Sequence, residues 1–204
     1  MILYVLLSVV IAVSALGVEY DARVQELIDE VNSDTLWANI ASLSGEVSVT
    51  IEGEPDSLPC RFALSEGSDR AALWLAEHFE ARGFTVELVP FFPNWLSGTR
   101  PLPLGVENAE ALEAIYINAQ SSIGSDTMWN VVATLAGEDS AQVLLVAHYD
   151  ATSEMPGIYT PGADDNASGV AGVLEAARLM GTHDWEHTLR FVLFSGEEVG
   201  LFGS

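Results

Sequence analysis

Val143-Leu144-Leu145-Val146-Ala147 is an unbroken apolar run that ends directly in His148-Tyr149-Asp150. Such a run reads as a strand buried on both faces of a parallel sheet. Farther along, Ser168 to Met180 sets Val170, Val173, Leu174 and Ala177 on one face of a helix. Leu189-Arg190-Phe191-Val192-Leu193-Phe194 reads as the following strand. Strand, helix, strand at this spacing is a βαβ unit, which makes the class α/β with helices covering the sheet.

Upstream the pattern is looser. Asp21 to about Leu43 is helical, with Val24, Leu27, Ile28 and Val31 at i, i+3, i+4 and i+7. Val47, Val49 and Ile51 alternate with polar neighbours, as in a short strand or hairpin arm. Ser68 is placed to cap a helix whose Ala72, Leu75, Ala76 and Phe79 share a face, with Gly83 closing it. Phe84 to Leu88 and Asn130 to Leu135 read as strands, the second followed by a turn at Gly137. From Pro90 to Asp126 proline and glycine recur, and Ala109 to Ile115 alone has a helical pattern.

A chain of 204 residues has room for one domain with a substantial core. At 49% hydrophobic and 18% charged, with a mean hydropathy of +0.27, it is too apolar for a disordered chain. Its apolar residues are too evenly spread for a multi-span membrane protein. The formal net charge is −23, from 30 Asp and Glu against 7 basic residues, all arginine. A surface this acidic repels phosphate, which excludes nucleic acid as a partner. Cys60 is the one cysteine, so neither a disulfide framework nor a thiolate-held zinc site can form within the chain.

Residues 2–17 carry no charge and end in Ala15-Leu16-Gly17, small residues that suit a cut after Gly17. The run is short of the ~20 residues of a membrane span. Residues 1–17 therefore read as an export signal, with an uncleaved anchor as the alternative and a secreted or extracytoplasmic protein as the consequence. Residues 18–204 are left as the folded part.

Chemistry-bearing residues follow the two strands at their C-terminal ends. His148 and Asp150 follow the first, Glu197-Glu198 follow the second, and Asp164-Asp165-Asn166 precede the helix between them. Ligands of open α/β sheets bind beyond the carboxyl ends of strands. One imidazole and up to five carboxylates thus meet on one rim, and a divalent metal resolves their repulsion. Imidazole with carboxylates suits zinc and, less specifically, manganese or cobalt. Asp150, two residues on, can hold the other N–H of His148. The side chains of Glu197 and Glu198 diverge, so one can bind metal while the other serves as a general base. His183 and His187 precede the second strand, ~20 Å of strand away from this rim.

Three blocks carry a resemblance: Val146-Ala147-His148-Tyr149-Asp150, Pro161-Gly162-Ala163-Asp164-Asp165-Asn166-Ala167-Ser168-Gly169, and Phe194-Ser195-Gly196-Glu197-Glu198-Val199-Gly200-Leu201-Phe202-Gly203-Ser204. Together they resemble the co-catalytic zinc aminopeptidases, a family that includes bacterial leucyl aminopeptidase, aminopeptidase Y and aminopeptidase S, with glutamate carboxypeptidase II as a relative. Gly67-Ser68, Ala81-Arg82-Gly83-Phe84 and Asn130 to Leu135 also have counterparts there, so the resemblance spans roughly Val24 to Ser204.

The resemblance implies a three-layer α/β sandwich with a mixed, largely parallel central sheet flanked by helices. It implies two zinc ions, with His148 a ligand of one, Asp165 shared by both and Glu198 a ligand of the other. Glu197 is then the general acid/base, Asp150 the aspartate behind the histidine, and the reaction hydrolysis of peptides that carry a free N-terminus. The family takes two further ligands, an Asp and a His, from sequence beyond the Glu-Glu motif. The expectation is therefore an N-terminal part of a longer catalytic domain, inactive when taken alone. Competing readings are a carboxypeptidase-type exopeptidase, a glutaminyl cyclase of the same fold, and a non-catalytic homologue.

Overall fold

The computed structural model describes residues 21–92 and 127–204. The expected signal segment and the helical pattern at Ala109 to Ile115 lie outside the described residues. Contacts divide the chain into two units, Met1–Val31 and Asn32–Ser204. In the first, α1 (Ala22–Asp29) is capped by Asp21, whose side chain accepts the Arg23 backbone N–H. Its Val24 and Ile28 are exposed.

The second unit begins at the cap of α2 (Ser33–Leu43). The single helix expected over Asp21 to Leu43 is thus two, and the break has a local cause. Asn32 has extended backbone, and its side chain accepts the N–H groups of Asp34 and Thr35. Its own N–H donates to the buried Glu175 at 2.7 Å. A cap residue is non-helical by construction, so no helix runs through it. Asn32→Ala is expected to lower stability by ~1 kcal/mol in urea denaturation; an unshifted midpoint would show that the cap contributes nothing.

A hairpin of β1 (Val49–Ile51) and β2 (Glu54–Asp56) follows. Then comes α3 (Glu66–Glu80), capped by Ser65 rather than Ser68: the Ser65 hydroxyl accepts the Ser68 N–H. Its Ala72, Leu75, Ala76 and Phe79 are buried as expected, and Gly83 takes the left-handed turn beyond it with φ of 84°.

The main sheet comprises β3 (Thr85–Phe91), β4 (Met128–Leu135), β5 (Gln142–His148) and β6 (Thr188–Phe194), in the order β3-β4-β6-β5. Helix α4 (Ser168–Met180) links β5 to β6, which pair in parallel from Gln142↔Thr188 to His148↔Phe194. The pairs β3–β4 and β4–β6 are antiparallel. The sheet is therefore mixed, as expected, and among the described residues one of its three pairings is parallel, where the resemblance implies a largely parallel sheet. Apolar runs mark strands without fixing their direction.

Leu189, Phe191 and Leu193 of β6 join Val131 and Ala133 of β4 in one core with α3 and α4. Phe191 packs edge-on against Phe84 at 5.3 Å and tilted against Phe79 at 6.1 Å. Burying each such ring is worth ~1.5–3 kcal/mol. Among the described residues, α3 and α4 cover this one face, with α2 packed on α4. With the sheet they make two of the three expected layers. The expectation that β5 is buried on both faces is corrected: Leu144 and Val146 are 55% and 53% exposed. Among the described residues β5 is an edge strand, and an apolar run cannot distinguish an edge from a centre.

Candidate metal centre

Parallel pairing brings the C-terminal ends of β5 and β6 to one rim. His148 is the last residue of β5, and Ser195-Gly196-Glu197-Glu198 follow β6. The Tyr149 N–H donates to Phe194 O at 2.8 Å, extending the pairing past the strand ends. Asp165 arrives from the turn Ala163–Ala167 that leads into α4, where its backbone is extended and its peptide to Asn166 is cis. Gly162 opens that turn with φ of 41°, a conformation few other residues adopt. A Cβ there would also strike the Asp165 carbonyl and crowd Arg61.

The histidine is held from both sides. Its Nδ1 lies 3.2 Å from the Asp150 carbonyl and 3.5 Å from Asp150 Oδ1. Its Nε2 lies 3.2 Å from Asp165 Oδ1 and 3.9 Å from Glu197 Oε2. Asp150 is fully buried and does more than sit behind the ring: its two carboxylate oxygens accept the N–H groups of Glu197 at 3.2 Å and Glu198 at 3.1 Å. One carboxylate thus ties the β5 end to the β6 end. Asn130 braces the same loop from β4, accepting the Ser195 N–H and donating to Gly203 O.

Electrostatics register the crowding. Burial, then the charges of Asp165, Asp150 and Glu197, push the Glu198 carboxyl up to about 7. Burial works to lower His148, but hydrogen bonding and charge from Asp150, with Glu197, outweigh it and raise the ring to about 9. A donor set of one imidazole and several carboxylates, short of positive charge, fits a divalent metal such as zinc. His148, Asp165 and Glu198 would hold it through Nε2 and carboxylate oxygens. Glu197, not Glu198, is the glutamate found within 4 Å of the ring.

These shifts set a pH dependence. The folded chain holds a proton on His148 more tightly than the ordinary 6.5 and on Glu198 more tightly than the ordinary 4.5. The stability this confers is lost as pH rises through about 7 for Glu198 and about 9 for His148. The melting temperature in chelator is therefore expected to fall from pH 5 to pH 9. A rise over that interval would contradict the cluster.

Sequence reasoning missed Asn130 and Arg61; the one signal for each is a polar residue beside apolar neighbours. His187 stays apart from the rim, as expected, with Nδ1 3.0 Å from both oxygens of Asp139. With Glu186 these form an exposed group whose ligand atoms lie within 4.8 Å of one another. Beside the His148 ring, a hollow of about 280 Å³ is lined by Val146, Phe194, Ser195 and Glu197 among others.

Comparison with known proteins finds relatives for the segment that carries this geometry. Residues 130–204 match peptidase family M28. The M28 segment holds His148, Asp150, Asp165, Glu197 and Glu198, and it bears out the resemblance to zinc aminopeptidases read from those motifs. A "Probable zinc metalloprotease" of Pyricularia oryzae is 45% identical over 191 residues, covering 90% of this chain and 33% of that protein. "Leucine aminopeptidase 2" of Trichophyton equinum is 34% identical over 91 residues, 44% of this chain and 17% of that one. The chain spans about a third or less of the length of such curated relatives.

Solved structures agree on the fold. A Bacillus subtilis zinc aminopeptidase matches with a TM-score of 0.60 at 15% identity, over 85% of this chain and 64% of that one. A Tannerella forsythia glutaminyl cyclase matches with 0.54 at 23%, over 83% and 48%.

Proposed function

We propose that the rim is the zinc centre of a peptidase that releases N-terminal residues from peptides. The observation that carries this reading is the convergence on the His148 ring: Asp150 on Nδ1, and Asp165 and Glu197 on Nε2. His148, Asp165 and Glu198 would hold the metal, with Asp165 serving both ions of a two-zinc centre. Glu198 suits a ligand role because its carboxyl, crowded by three others, gains most from a cation. Zinc bound there supplies a Lewis acid for the scissile carbonyl.

Glu197 does the proton work. Its carboxylate is 39% exposed, open to water and substrate, while its backbone is fixed on Asp150. It takes a proton from the attacking water and returns it to the leaving amine. Asp150 holds the ring so that Nε2 faces Asp165. The substrates are peptides with a free N-terminus, met outside the cytoplasm if residues 1–17 direct export.

The test, made on a chain carried on to the length of its curated relatives, pairs zinc titration with hydrolysis of amino-acid 4-nitroanilides and of their N-acetylated forms. Zinc-dependent hydrolysis of the free amines alone is expected. Cleavage of both forms alike would remove the aminopeptidase assignment, and cyclisation of N-terminal glutamine without hydrolysis would replace it with cyclase chemistry.

A further inference from the structure

Arg61 is a charged residue with no exposed surface, set in the apolar run Phe62-Ala63-Leu64. Its guanidinium is spent on backbone carbonyls. Nε donates to Tyr149 O at 2.7 Å, Nη2 to Gly162 O at 3.0 Å, and Nη1 to Pro161 O at 2.9 Å and to Leu43 O. Its main chain reinforces the same contacts: the Arg61 N–H donates to Thr160 Oγ1 at 2.7 Å, and Arg61 O accepts the Ala151 N–H at 3.1 Å.

Leu43 O ends α2, and the other three acceptors fall into two groups that bracket the metal centre. Tyr149 directly follows His148, and Pro161-Gly162 open the turn that carries Asp165. The chain between Ala151 and Thr160 is an irregular loop with Met155, Ile158 and Tyr159 exposed, so it does not by itself fix the distance between its ends. The guanidinium spans that gap from inside the core.

We propose that Arg61 is a positioning residue that sets the spacing of His148 and Asp165 by clamping the Tyr149 and Pro161-Gly162 carbonyls from beneath the rim. This rests on the metal-site reading given above. The chemistry calls for arginine, because a planar fork with five N–H donors meets four carbonyls at once, whereas lysine offers one nitrogen and three donors. Burial lowers Arg61 to about 10, against the opposing charge of Asp150, so the fork stays charged at neutral pH. Asp150 in turn holds the backbone of Glu197 and Glu198. The clamp therefore bears on His148 and Asp165 through the carbonyls beside them.

A purely structural arginine would lower stability without touching the metal, and the test separates the two roles. Arg61→Lys is compared with Phe79→Leu, a core change among Phe84 and Phe191 that lowers stability without altering the clamp. Zinc affinity is measured by competition with a chromogenic chelator. Exchange of the Ala151 and Ala167 amides, which donate to Arg61 O and Gly162 O, is followed by NMR.

Arg61→Lys is expected to weaken zinc ~10–100-fold, the usual effect of a residue that orients ligands, and to speed exchange at both amides. Phe79→Leu leaves zinc affinity unchanged. Zinc affinity in Arg61→Lys equal to the wild type overturns the proposal. If Arg61→Lys does not fold, Thr160→Val decides: it removes the acceptor of the Arg61 N–H and keeps the guanidinium. Zinc weakened relative to Phe79→Leu supports the clamp, and unchanged affinity overturns it. A wild-type chain that takes up no zinc contradicts the metal-site reading instead. The clamp is then judged by amide exchange alone, and wild-type protection in Arg61→Lys overturns it.

Discussion

In a chain extended to the length of its curated relatives, Glu197→Gln is expected to lower hydrolysis of an amino-acid 4-nitroanilide by ~10²–10⁴-fold, the usual worth of a general base, while zinc stays bound. The amide keeps the shape of the carboxylate, and the backbone N–H of residue 197 still donates to Asp150 at 3.2 Å. The ligand-bearing loop is therefore unmoved, and what is lost is the capacity to accept a proton. The side chain is well placed for that task, 39% exposed and 3.9 Å from His148 Nε2. Loss of zinc along with activity would exchange the roles of Glu197 and Glu198.

Asp150→Ala is expected to lower stability by ~3–5 kcal/mol, the cost of removing one partner from a buried charge pair. The carboxylate has no exposed surface, and its loss strands the N–H groups of Glu197 and Glu198. It also leaves the buried Arg61 without the carboxylate whose charge supports it. Asp150→Asn keeps the volume but sets an amide N–H₂ against one of the two backbone donors. In a folded Asp150→Asn chain, zinc affinity is expected to drop ~10–100-fold. Unchanged affinity would take Asp150 out of the site.

The βαβ unit was legible because two apolar runs and one amphipathic helix recur at the right spacing. The convergence of His148, Asp165 and the glutamates followed, since residues after parallel strands share one rim. The residues that hold the rim together were not legible. Arg61 meets Tyr149 and Pro161 across separations of 88 and 100 residues. Asn130 meets Ser195 across 65. A polar residue beside apolar neighbours does not say which distant carbonyls it will find. The break before α2 was hidden as well, because Val24, Leu27, Ile28 and Val31 keep helical spacing up to the cap at Asn32. The second role of Asp150 depends on the register of β5 with β6, a tertiary fact.

The measurement that bears most directly on the metal centre is a zinc titration of three chains: wild type, His148→Ala and His187→Ala. The rim and the exposed group of Asp139, Glu186 and His187 are the two places where carboxylates meet a histidine among the described residues. Losing the imidazole at the rim is expected to weaken zinc by at least ~100-fold, since a ligand counts for more than the residues that orient it. His187→Ala should leave the titration as in the wild type. Zinc that survives in His148→Ala and disappears in His187→Ala would move the metal to the surface group and contradict the assignment of the rim.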